Sequence, residues 1–216
     1  MNYRHAYHAG NFADCMKHAL LVTLLQSFLR KPAPFMVLDT HAGIGRYDLH
    51  SPEAEKTQEW QDGIGKLWHE DATSPLADWL EQMLRTQDSL ICCEKHPEDK
   101  RSLYRLFTNT PNVTVHERDA YEALRALLPP KTAKRGLILI DPPFEEPGEF
   151  DRLAQAVQTI QARFANAIIA IWYPIKHRTP QVPPHIYGKA LHTCGQNLHA
   201  NTQQHQRSHT ANNTRA

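Results

Sequence analysis

Asp141-Pro142-Pro143-Phe144 follows directly on the apolar run Leu137-Ile138-Leu139-Ile140. The exocyclic amine of a planar ring donates N–H bonds, and it is held by a carboxylate and a backbone carbonyl. Asp141 supplies the carboxylate. Two consecutive prolines fix φ and remove two N–H donors, so the turn offers only carbonyls. Phe144 gives an extruded base a surface to stack on. The chemistry that uses such a turn is methyl transfer to the amine. On the tetrapeptide alone, a strand ending in a Pro-rich turn with an incidental aromatic stays open.

Three other acids fall at equivalent places, each after a short apolar run: Asp39, Glu94 and Asp119. Asp39 opens Asp39-Thr-His-Ala-Gly-Ile-Gly45, whose glycines let the backbone turn tightly and approach a ligand closely. The loop lacks the third glycine of a dinucleotide fingerprint, which weakens the case for a nicotinamide enzyme. Glu94 sits where a carboxylate binds the two hydroxyls of a ribose. Asp119 suits an adenine amine. Together with the Asp141 turn, this set describes S-adenosylmethionine beside an amine-bearing base.

The opening Tyr3-Arg4-His5-Ala6-Tyr7-His8-Ala9-Gly10-Asn11, followed by Asp14 and Lys17-His18, is also rich in chemical groups. His5, His8, Cys15 and His18 suggest zinc by spacing, but four ligands would have to converge across a helix start. A segment that contacts cofactor or RNA is the better reading, and no metal is expected.

The elements that must position these residues follow from periodicity. Residues 11–30 read as an amphipathic helix, with Met16, Leu20, Leu21, Leu24, Leu25 and Phe28 at helical spacing. Lys31-Pro-Ala-Pro34 stops it. Strands are expected at 35–38, 90–93, 112–116, 136–140 and 167–172, with helices at 97–107, 120–128 and 149–164. Residues 53–86 show a helical pattern and form an insertion. Strands alternating with helices imply a doubly wound parallel α/β sheet, whose ligands bind beyond the carboxyl ends of the strands.

Composition sets outer bounds. The chain has 216 residues, enough for one α/β domain with a sizeable core. It holds no apolar stretch of membrane-spanning length and no leader pattern, so a cytoplasmic protein without membrane association is expected. Cys15, Cys92, Cys93 and Cys194 show no framework spacing, as suits a reducing compartment. The formal charge of +1 hides an asymmetry, because residues 176–216 carry five Lys or Arg and no acid. The rest of the chain is net acidic and lacks the bulk basic footprint of a nucleic-acid binder. Local patches such as Lys131, Lys134 and Arg135 would have to meet a polyanion. Residues 1–178 are expected to form the folded domain, and 179–216, rich in His, Gln, Asn and Thr, a disordered tail.

These motifs resemble the RlmJ-type methyltransferases, which modify an adenine N6 in 23S ribosomal RNA. The resemblance covers most of residues 1–178. It rests on Tyr3-Arg-His-x-x-His-Ala-Gly-Asn11 with Asp14 and Lys17-His18, on Leu38-Asp-Thr-His-Ala-Gly-x-Gly-Arg-Tyr47, on Glu94-x-His-Pro97, on Arg135-Gly-Leu-Ile-Leu-Ile-Asp-Pro-Pro-Phe144, and on Trp172-Tyr-Pro174. It implies a Rossmann-like fold with a helical insertion, S-adenosylmethionine as cofactor, and a monomer acting on 23S rRNA that is protein-free or partly assembled. It also implies that His18, His41, Glu94, Asp119 and Ala120 bind the cofactor. Asp141 would be catalytic, and Tyr3 and Phe144 would meet the RNA.

The chain departs from the family pattern in three ways. A Tyr-Pro-Gly-Ser-Pro loop has no expected counterpart where Met83-Leu-Arg-Thr-Gln-Asp-Ser-Leu90 runs into the second strand. The family's further strands after Trp-Tyr-Pro give way to the polar tail, so a shortened or C-terminally altered member with incomplete C-terminal strands is expected. The family's Asp-Gly pair and Tyr appear as Asp119-Ala120 and Phe144. The turn serves any planar amine, so guanine N2 and DNA adenine stand as alternative targets. A non-catalytic remnant is the alternative from another class.

Overall fold

A computed structural model of the chain describes residues 4–67 and 85–173. Tyr3, the second half of the insertion and the tail lie outside the described residues.

Five strands form one parallel sheet in the order β3-β2-β1-β4-β5: β1 (Met36–Asp39), β2 (Ser89–Glu94), β3 (Val113–Glu117), β4 (Gly136–Ile140) and β5 (Ala167–Ile171). This is the Rossmann-like, doubly wound arrangement that the alternation of patterns implies, with strand limits within a residue or two of those expected. The chain reverses direction across the sheet between β1 and β4, and ligands of such sheets lie at that crevice.

The central strands are apolar up to the acids at their carboxyl ends because both of their faces are covered. Met36 and Leu38 of β1 and Ile138 and Ile140 of β4 point to one face. There they meet Leu124 of α6 (Ala120–Leu127) and Leu153 and Ile160 of α7 (Glu149–Arg163). Val37 and Leu137 point to the other face. They meet Leu21, Leu25 and Phe28 of α1 (Phe12–Leu29), and Leu103 of α5 (Pro97–Leu106).

Two expectations are modified. Met16 and Leu20 do not join the buried face of α1: they are 42% and 54% exposed. At 3.6 residues per turn, Met16 stands about 140° round the helix from Leu21, too far to share its face. The described part of the insertion is helical but broken into α2 (Pro52–Thr57), α3 (Glu59–Asp62) and α4 (Ile64–Leu67). Gln58 is left-handed at φ 55, and Gly63 lies so close to Gly10 that a Cβ would strike the Gly10 carbonyl. The break docks the insertion on the N-terminal segment. Ile64 N donates to Gly10 O at 2.8 Å, and Glu59 accepts from Asn11 Nδ2 at 3.0 Å and pairs with His8 Nδ1 at 2.9 Å. Among the described residues, no helix is long and apolar enough to cross a membrane.

Where the sequence runs into β2, Asp88 is fully buried and knits the turn to the sheet. Its carboxylate accepts from Phe35 N at 3.0 Å and from Arg85 Nε at 2.7 Å.

Candidate active site

Parallel pairing brings the carboxyl ends of β1, β2, β3 and β4 to one edge of the sheet, and with them Asp39, Glu94, Asp119 and Asp141. Backbone bonds continue the ladder just past the strands. Thr40 N donates to Leu139 O at 3.1 Å, Ala42 N to Cys93 O at 3.0 Å, and Arg118 N to Glu94 O at 3.1 Å. The loops that carry the acids are therefore extensions of the sheet.

Asp39, Glu94 and Asp119 are each oriented by backbone amides. Asp39 Oδ1 accepts from His41 N at 3.1 Å. Glu94 accepts from His96 N at 2.8 Å and from Gly43 N at 2.9 Å, which ties β2 to the glycine loop. Gly43 has φ +62, and a Cβ there would stand 2.6 Å from the Tyr47 hydroxyl oxygen, so any other residue would make this bond only with backbone strain and a shift of Tyr47. Asp119 caps α6, accepting from Tyr121 N at 3.0 Å and Glu122 N at 3.4 Å, and Ala120 is the buried first residue of that helix. Lys95 lies 3.4 Å from its other oxygen.

The electrostatics divide the acids. Burial pushes the Asp39 carboxyl up to about 7, and the carboxylates of Asp141 and Glu94 add to that push. Burial acts the same way on Asp119, but the Tyr121 and Glu122 amides and Lys95 outweigh it and hold its carboxyl below the usual range. Burial pulls His41 down to about 4, so its imidazole is neutral. Its tautomer follows from its neighbour. Thr40 spends its hydroxyl proton on Leu139 O at 2.8 Å, so His41 Nδ1, 2.9 Å from Thr40 Oγ1, must donate to that hydroxyl oxygen. Nε2 is left as an acceptor for a hydroxyl or amine. His18, on α1, is also held below its ordinary value by burial.

Lys17 is the residue that sequence reasoning missed as a site residue. Its ammonium reaches 2.6 Å from Asp141 Oδ2, across 124 residues of chain, and lies 3.8 Å from Asp14 Oδ1 and 5.3 Å from the centre of the Trp172 ring. Asp14 is buried and takes His5 Nε2 at 2.8 Å and Gly10 N at 2.9 Å. Burial tends to raise the Asp14 carboxyl, but His5, Gly10 and Lys17 together bring it below its usual value. His5, Asp14, Lys17 and Asp141 thus form a chain of contacts from the N-terminal segment to the Asp-Pro-Pro-Phe turn. His5 and His8, weighed above as zinc ligands, are turned to Asp14 and Glu59.

Phe144 takes the left-handed conformation at φ 54, rare for a residue with a bulky side chain. Its half-buried ring packs at 5.1 Å, tilted, on Phe150. The turn is a held conformation.

The amino-acid sequence matches the family described as Ribosomal RNA large subunit methyltransferase D, RlmJ, over residues 32–83 and 72–182. The chain is 37% identical over 199 residues to Ribosomal RNA large subunit methyltransferase J of Haemophilus influenzae, covering 81% of this chain and 70% of the relative. It is 38% identical over 200 residues to the protein of the same name from Escherichia coli, with the same coverage. Among solved structures, protein LPL1258 of Legionella pneumophila superposes with a TM-score of 0.67 at 33% identity, covering 79% of this chain and 71% of that one. With this fold, these strand-end acids and this breadth of match, the chain belongs to the RlmJ family of ribosomal RNA large subunit methyltransferases.

Proposed function

We propose that the protein transfers a methyl group from S-adenosylmethionine to the N6 amine of an adenine in 23S ribosomal RNA. One observation carries this reading: Lys17 of α1 is paired with Asp141 at the start of a proline-fixed turn, next to a row of amide-oriented carboxylates.

The residues fit the cofactor by their donor set. Glu94 has lone pairs left for the ribose hydroxyls, and Asp119 Oδ2 for the adenine amine. His18 and His41 line the approach, His41 with Nε2 as acceptor, and the close packing around Gly43 leaves backbone where a side chain would intrude. When bound, the cofactor supplies a methyl group on a sulfonium, already activated for in-line attack.

The chain's own part is positional. Lys17 holds Asp141 Oδ2, which leaves Oδ1 for one N–H of the target amine, and the carbonyls of the proline turn take the other. Orienting the amine lone pair at the methyl carbon accounts for most of the rate. Asp141 accepts the amine proton during or after transfer. Phe144, braced by Phe150, stacks on the base. Tyr3 is assigned to RNA contact by family resemblance. The protein is expected to act as a monomer, in the cytoplasm, on RNA that is protein-free or partly assembled.

The test is direct. Purified protein is given S-adenosylmethionine labelled in the methyl group, with deproteinised 23S rRNA or duplex DNA, and the products are digested to nucleosides. N6-methyladenosine from rRNA alone is the expected product. N2-methylguanosine or methylated DNA would move the target to another amine, and no transfer with no cofactor binding would identify a non-catalytic remnant.

A further inference from the structure

Beyond the four acids, a polar cluster built around one buried carboxylate takes no part in the mechanism above. Glu149 opens α7, with four residues between it and the turn, and is only 5% exposed. Its Oε1 accepts a hydrogen bond from the hydroxyl of Tyr121, on α6. Arg152, one turn further along α7, lies 4.3 Å over the Tyr121 ring, with Nη1 3.8 Å from Glu149 Oε2 and Nη2 3.6 Å from Asp119 Oδ2. Burial, then the Glu149 carboxylate, raises the Tyr121 hydroxyl far above its ordinary range, so it stays a donor at any working pH.

The placement of this cluster gives it meaning. Tyr121 is two residues after Asp119, on the helix that Asp119 caps. Glu149 precedes Phe150, whose ring braces Phe144. Gly148, between turn and helix, has φ +80 and no side chain with which to cap α7. Backbone bonds from Asp151 N and Arg152 N to Gly148 O close the first turn of α7, and the bond from Glu149 ties that start, and with it the segment leading from the Asp141–Phe144 turn, to the helix carrying Asp119. A carboxylate is costly to bury without partners, so the arrangement holds as a unit or not at all.

We infer that Glu149 is a positioning residue that, through Tyr121 and Arg152, couples ligand binding at Asp119 to the placement of Phe144 and Asp141. This rests on the function proposed above. Ligand at Asp119 stiffens α6 and Arg152, which fixes α7, Phe150 and the turn that receives the base. By thermodynamic reciprocity, RNA in the turn tightens the adenosyl ligand by the same factor.

The experiment compares wild type, Glu149→Ala, Glu149→Gln and Tyr121→Phe. It measures the affinity for S-adenosylhomocysteine with and without an rRNA fragment, kcat and RNA KM, and amide exchange over residues 144–150 of the unliganded protein. In Glu149→Ala, binding of S-adenosylhomocysteine alone should stay within about threefold of wild type. Its enhancement by RNA and kcat should each fall about tenfold, within the usual range of coupling between sites. Exchange over 144–150 should accelerate. Glu149→Gln keeps an acceptor for Tyr121 and should recover most of each loss. Tyr121→Phe keeps the ring and should resemble Glu149→Ala, which guards against misfolding of a single variant. An active wild type with Glu149→Ala equal to it, or with Gln no better than Ala, overturns the coupling alone. A wild type that neither binds S-adenosylhomocysteine nor methylates RNA overturns the functional reading and the coupling with it.

Discussion

Asp39 and His41, two residues apart, should make the protein's stability depend on pH in opposite directions. Burial carries Asp39 from 3.8 up to about 7 and His41 from 6.5 down to about 4. Between these values, folded Asp39 holds a proton that the unfolded chain has released. Its contribution is therefore greatest at low pH and is lost as pH rises toward 7. His41 is the reverse: the unfolded chain takes up a proton that the folded imidazole refuses, so its contribution is present above pH 6.5 and lost as pH falls toward 4. Each pH unit with one proton of difference is worth about 1.4 kcal/mol. From about pH 5 to 6.5, Asp39 costs the fold roughly 1.5–2 kcal/mol and His41 returns a similar amount. The two nearly cancel in the wild type.

Substitution exposes the cancellation. Urea unfolding at several pH values across that window should give, for Asp39→Asn, a stability that gains roughly 1.5–2 kcal/mol on the wild type as pH rises. His41→Gln should lose a similar amount relative to wild type over the same span. The reading is a slope, so it survives any constant cost of the substitution, and subtracting the wild type removes the contribution of His18 and Asp14. If the Asp39→Asn difference is flat with pH, Asp39 is not held protonated by burial, and the charge balance argued for the pocket is wrong.

Asp141→Ala should reduce methyl transfer by about 10²–10⁴, the range for loss of a proton acceptor, while calorimetry shows S-adenosylhomocysteine binding within a few-fold of wild type. Lys17→Met removes the partner 2.6 Å from Asp141 and should lower kcat roughly tenfold or more with little change in cofactor affinity; an unchanged kcat under saturating RNA would mean that the ion pair is incidental. Phe144→Ala should weaken RNA use by roughly 1–3 kcal/mol, read as kcat/KM on an rRNA fragment, whereas Phe144→Tyr should be nearly silent. Alanine and tyrosine behaving alike would make Phe144 a packing residue only.

The sheet was legible because its central strands are buried on both faces and read as uninterrupted apolar runs, each closed by an acid. Asp39, Glu94, Asp119 and Asp141 could be placed at one edge from that pattern alone, since parallel strands share a direction. The insertion was less legible. Trp60, Ile64 and Leu67 keep helical spacing through a chain that turns at Gln58 and Gly63. The local signal was Gly63-Ile-Gly65, a breaker pair inside the apparent helix. The outer row of α1 misled for a related reason: Met16 and Leu20 are apolar but belong to a different face from Leu21 and Leu25.

Lys17–Asp141 and Tyr121–Glu149 were not legible, because neither pair is linked by spacing. Each depends on how a helix packs against the sheet, and the packing is set by apolar residues elsewhere: Leu21, Leu25 and Phe28 for α1, Leu153 and Ile160 for α7. The acids at the strand ends differ from these pairs in a way that bears on function. Asp39, Glu94 and Asp119 are each aimed by amides of their own or the adjacent loop, so a change of ligand leaves their direction intact. Asp141 is aimed by a lysine from a distant helix. In the mechanism proposed above, a carboxylate that must both orient an amine and take its proton has to respond to charge. A flexible ammonium can follow that change where a fixed amide cannot, so the least legible contact in the site is also the one best suited to the chemical step.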